Sequence, residues 1–172
     1  MNVKFTLLIG VMVGIFLFSC SKRVEDDMID SGNFLKVTID GEQHVYTDVQ
    51  GRWVDGGNYL EITARQDAAT WLRITVLSEN GRVTTGDYTL DDASGFDILS
   101  LYTKPSNDAQ LNYAATRATI SLLDAFSLKI QAIGDRSVEG TFTGNLIRVQ
   151  GLEVLGEVQL SDGSFVTSIS AE

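Results

Sequence analysis

From Asn33 onward, apolar and polar residues alternate with a period of two, and short stretches of turn chemistry interrupt the alternation. Successive side chains of a strand point to opposite faces. Leu35, Val37 and Ile39 set against Phe34, Lys36 and Thr38 can therefore bury one face only if the segment is extended. The same phase returns at Leu60, Ile62 and Ala64, at Leu72, Ile74 and Val76, and at Phe126, Leu128, Ile130 and Ala132. It returns again at Val138, Gly140, Phe142, Gly144 and Leu146, where the two glycines imply a bulge, a bend or a close approach. Asp40-Gly41, Asp55-Gly56-Gly57, Asn80-Gly81, Gly134-Asp135 and Ser161–Ser164 supply the turns. The last of these divides two expected strands, Val154–Leu160 and Phe165–Ile169. No helical stripe appears after residue 32, although the Ala-rich stretch 108–118 could hold one helical turn. The pattern predicts an all-β domain over residues 33–172, a single antiparallel β-sandwich or flattened barrel of about ten short strands.

Composition narrows the chemistry. The chain has 172 residues, enough for one domain with a real core, and a formal charge of −10, which disfavours a nucleic-acid partner. One Cys cannot make an internal disulfide or a multi-Cys zinc site, and one His removes most catalytic triads and His-rich metal sites.

The N-terminus carries a different signal. Lys4 precedes an apolar or small run of 14 residues, Phe5 to Phe18, which suits a signal-peptide core and is short for a membrane span. Leu17-Phe18-Ser19-Cys20 resembles a bacterial lipobox, with an aliphatic residue, a small residue before the cut and a Cys after it. The resemblance implies cleavage between Ser19 and Cys20 and a diacylglycerol thioether on Cys20. Acyl chains such as palmitate then add about 0.8 kcal/mol of anchoring per buried CH₂. Residues 1–19 read as the signal peptide and residues 20–32 as a lipidated, polar, flexible tether. Glu25-Asp26-Asp27 resembles the acidic cluster that marks Bacteroidetes-type lipoproteins for export to the cell surface. The expected location is the cell envelope, on an outer membrane, reached through the lipid anchor.

Four further motifs share one resemblance. They are Phe34–Gly41, Thr85-Gly86-Asp87-Tyr88-Thr89-Leu90, Val138–Gly144 with its Gly-Thr-Phe-Thr-Gly core, and Ser161-Asp162-Gly163-Ser164-Phe165. Their order and spacing resemble an uncharacterised family of small all-β Bacteroidetes lipoproteins. The resemblance implies the fold and the envelope location, and it brings no activity.

Candidate site residues are few. Trp53 and Trp71 fall on the polar-facing side of their strands, so they are candidates for stacking on a sugar ring or a peptide side chain. His44 reads as a strand-face histidine. Asp91-Asp92, with Asp87 and Asp97 nearby, could pair with Glu139 or Glu153 as glycoside hydrolysis requires. The same pair is a weak metal candidate for Ca²⁺, but it lacks the spacing of a calcium loop. No cofactor motif is present beyond the covalent lipid. The sequence therefore predicts a non-enzymatic binding or accessory module for glycan or protein. The alternatives are a carboxylate-dependent polysaccharide enzyme and a structural subunit of an envelope complex.

Overall fold

The computed structural model describes residues 32–78, 81–90, 96–107, 109–116, 123 and 125–170. The lipobox with Ser19 and Cys20, the acidic cluster Glu25-Asp26-Asp27, the Asp91-Asp92 pair and Asn80 lie outside the described residues.

The alternating segments form eleven strands. In chain order they are β1 (Phe34–Ile39), β2 (Glu42–Tyr46), β3 (Asp48–Val54), β4 (Tyr59–Arg65), β5 (Trp71–Ser78), β6 (Gly86–Thr89), β7 (Phe96–Pro105), β8 (Gln110–Thr116), β9 (Ala125–Ile133), β10 (Ser137–Gln150) and β11 (Glu153–Ser170). The hydrogen-bonded order is β2-β1-β11-β3-β4-β5-β7-β8-β10-β9-β6, and β10 also pairs with β11. The extra pairing closes a ring through β11, β3, β4, β5, β7, β8 and β10. One wall is the meander β3-β4-β5-β7-β8, and the other is β2-β1-β11-β10-β9-β6. The all-β reading holds, in a form between sandwich and barrel.

Two narrow seams join the walls. Ile147 of β10 pairs with Ala114 of β8, while Ile169 and Ser170 of β11 pair with Gly51 and Arg52 of β3. The β3–β11 seam is parallel, so the otherwise antiparallel sheet is mixed. Gly51 permits it, because a Cβ there would lie 2.9 Å from the Ser168 carbonyl oxygen.

The long β10–β11 hairpin is the centre of the second wall and supplies one strand to each seam, and here the structure departs from the expected turn. Ser161–Ser164 continues β11 through a bulge instead of ending it. Asp162 takes φ 52, and the register slips by one residue against both β10 and β1. An extra residue bends a strand without breaking its ladder. Stretch 110–116 is a strand, not a helical turn, because Tyr113 and Ala115 alternate into the core. Inside, the Phe126, Phe142 and Phe165 rings form a column, with centroids 5.8 and 6.3 Å apart. Each ring faces a glycine across a ladder: Phe126 opposite Gly144, Phe142 opposite Gly163 and Phe165 opposite Gly140. The expected close approach is thus ring against backbone.

Candidate functional site

The outer face of the second wall carries a row of hydroxyls set by register. Thr38 pairs with Ser161, Thr143 faces the β11 bulge and pairs with Ser127, and Ser127 pairs with Thr89. Five adjacent strands therefore place Ser or Thr at one level, about 4.8 Å apart in the hydrogen-bonding direction. Part of this row lines a cleft of about 590 Å³, together with Ala125, Gly144, Asn145 and Gln159, and behind it lie Leu90, Phe126 and Leu160, whose side chains are buried in the core. The walls are hydroxyls, amides and carbon, and among the described residues no ionisable side chain lines the cleft. A cleft of this size, with carbon and a few polar groups in its walls, suits a small ligand or a segment of a larger one. A smaller cleft of about 310 Å³ adjoins it, shares Ser127 and Thr143, and adds Lys129 and Asp162.

A third cleft, of about 330 Å³, lies toward the opposite end of β9, where Ile133, Gly134 and Asp135 meet Trp53, Arg82, Thr84 and Thr85. Trp53 is 6 % exposed and shares the inward face of β3 with Val49 and Gly51. The expectation that it faces the polar side is therefore corrected. β3 begins at Asp48, and counting by twos from Val49 brings the indole inward. The Arg82 guanidinium lies 4.3 Å from the centre of the indole ring, and it donates to Asp135 at 2.9 Å. Tyr88 pins the loop that carries these residues: its hydroxyl donates to the Thr84 carbonyl at 2.6 Å and accepts from the Thr84 N–H at 3.2 Å.

Trp71 lies on the outer face of the meander as expected, half-buried and with Arg73 5.1 Å from its ring centre. Beside it, Glu61 accepts from Arg52 at 2.9 Å and lies 3.6 Å from Arg73. The two indoles thus sit on opposite sides of their wall and form no common platform. His44 stacks on Tyr46 at 6.4 Å. Of the carboxylates considered for catalysis, three described ones stand apart: Glu139 lies near the start of the β10–β11 hairpin and Glu153 at its far tip, while Asp87 is 3.7 Å from Lys129.

Arg82, Asp135 and the hydroxyl row were missed in the sequence. The outward phase of each strand was readable, but the level at which two strands meet is not a property of either one. No family model, curated protein or solved structure matches the chain.

Proposed function

We propose that the protein is a lipid-anchored, non-catalytic binding module of the cell envelope, held in an outer membrane through Cys20, and that its ligand is a glycan taken into the hydroxyl-lined cleft. One observation carries the reading: the roughly 590 Å³ cleft is walled by Thr89, Ser127, Thr143, Ser161, Asn145 and Gln159, with Ala125 and Gly144 beside them. Hydroxyl and amide groups each donate and accept, which matches the hydroxyls of a sugar, while the Ala125 and threonine methyls match its C–H faces. The lipobox supports the anchor, and the acidic cluster at residues 25–27 supports display at the surface. The motif resemblance to small Bacteroidetes lipoproteins supports the same location.

The test is an oligosaccharide array probed with the intact lipoprotein, alongside Thr143→Lys, which puts a long cation into the cleft. Saturable binding to a saccharide, lost in Thr143→Lys at unchanged thermal stability, is the expected result. Binding that Thr143→Lys leaves intact, or no saccharide bound at all, removes the reading. In parallel, Cys20→Ala is expected to abolish palmitate labelling and release the protein from the membrane fraction.

A further inference from the structure

The cleft around Trp53 has a chemistry unlike that of the hydroxyl row, and three observations converge on it. First, the Trp53 indole Nε1 is buried and has no hydrogen-bond partner among the described residues. A buried donor left unpaired costs free energy, so the fold maintains this one at a loss. Second, the Arg82 guanidinium lies over the same indole and faces a cleft of about 330 Å³. A cation held on an aromatic face is attracted by the ring and keeps its outward N–H groups oriented. Third, the carboxylate now on Arg82 belongs to Asp135, whose side chain is 86 % exposed on the β9–β10 turn. An ion pair this exposed is screened by water and weak, so another carboxylate can displace it.

We propose that this cleft binds the carboxylate of an acidic sugar unit, with Arg82 as the clamp and Asp135 as the intramolecular group that the ligand displaces. One guanidinium neutralises one negative charge, which favours a carboxylate over a doubly charged phosphate. Thr84 and Thr85 also line the wall, and the Thr84 hydroxyl, which donates to the Thr85 carbonyl at 3.4 Å, keeps its acceptor capacity for the ring hydroxyls of a uronic acid. Tyr88 holds this loop in place through Thr84, so the wall is fixed before a ligand arrives. The ligand carboxylate takes the place of Asp135 on the outward N–H groups while the guanidinium stays on the indole, so the Trp53 resonance reports its arrival. The proposal is independent of the hydroxyl-lined cleft, because the two share no described residue.

The test follows the two indole N–H resonances of the intact protein, assigned by the loss of one in Trp71→Phe, during titration with galacturonate, galactose, acetate and the dipeptide Ala-Ala. Galacturonate is expected to shift the Trp53 resonance saturably, and added salt to weaken the effect. Galactose, acetate and Ala-Ala are expected to leave it within a tenth of that shift at equal concentration. Arg82→Gln is expected to abolish the response. Asp135→Asn, which removes the competing carboxylate, is expected to tighten binding at least threefold, an effect that a purely structural ion pair does not produce. No response to galacturonate, an equal response to galactose or acetate, a stronger response to Ala-Ala, or weaker binding by Asp135→Asn overturns the proposal.

Discussion

Phe165 lies directly across the β10–β11 ladder from Gly140, and its ring fills the space that a side chain at 140 would need. A Cβ there would lie 2.7 Å from Phe165 Cζ and 2.5 Å from the Lys129 carbonyl oxygen. Neither neighbour is free to yield: Phe165 is 1 % exposed, and Lys129 is part of the β9–β10 ladder. Gly140→Ala is therefore expected to cost about 1–3 kcal/mol in urea unfolding through overpacking. Gly134→Ala, where a Cβ meets nothing within 4 Å, serves as the near-neutral control.

The β1–β2 turn gives a second expectation. Asp40 and Gly41 take φ 51 and 86, the geometry of a two-residue hairpin turn with both central residues left-handed. Asp40 also ties this turn to β11, its Oδ1 accepting from the Gln159 N–H at 2.9 Å and its own N–H donating to the Gln159 carbonyl at 2.9 Å. Asp40→Ala is expected to lose about 1–2 kcal/mol by removing one bond and straining the left-handed residue. Asp40→Asn keeps both the conformation and an acceptor, and is expected to recover most of that loss in the same denaturation assay.

Asp67 makes the loop between β4 and β5 sensitive to acid. Its Oδ1 accepts from the N–H groups of Ala69 and Thr70, both at 2.7 Å, and these bonds hold its carboxyl below the ordinary 3.8. A lowered folded value means the contribution is present above the unfolded value and is lost as pH falls through the folded one. Hydrogen exchange at Ala69 and Thr70 is expected to lose protection on acidification below the ordinary carboxylate range. Asp67→Asn is expected to flatten that dependence.

Tyr46 and Tyr102 respond at the other end of the scale. Burial first, and then the neighbouring phenol of Tyr102, raises Tyr46 well above the ordinary 10.0. Burial raises Tyr102 too, with smaller contributions from Asp40, Tyr113 and Glu42. A raised folded value means the stability is complete below the unfolded value and is lost as pH rises toward the folded one. Phenolate absorbance of the native protein at pH near the ordinary value is expected to miss these two groups, and urea is expected to restore them. A full tyrosine count without denaturant would contradict the burial.

How much was legible follows from what is local. Period-two alternation located the strands, because a strand's two faces are written in its own residues. The Asp40-Gly41 turn was legible for the same reason, since left-handed φ values favour those residue types. Ser161–Ser164 misled, because Asp-Gly chemistry serves a turn and a bulge equally well. The choice between them depends on whether neighbouring strands continue past it, and here β1 and β10 both do. Trp53 misled through phase, since Gly51 is silent in a hydrophobic count and yet marks the inward face.

The sequence by itself determined an all-β body, most of its turns and the glycine–phenylalanine motifs of its last two strands. It also contains Leu17-Phe18-Ser19-Cys20, whose resemblance to a lipobox needs no tertiary contact because a short, local pattern carries it. Only the tertiary structure decided the closure of the ring through Gly51 and Ala114, the alignment of Thr38, Ser161, Thr143, Ser127 and Thr89, and the meeting of Trp53 with Arg82 and Asp135. The physical reason is the same in each case. Alternation specifies which face a side chain takes, whereas register and closure specify which side chains meet, and those are set by the fit of strands distant in the chain.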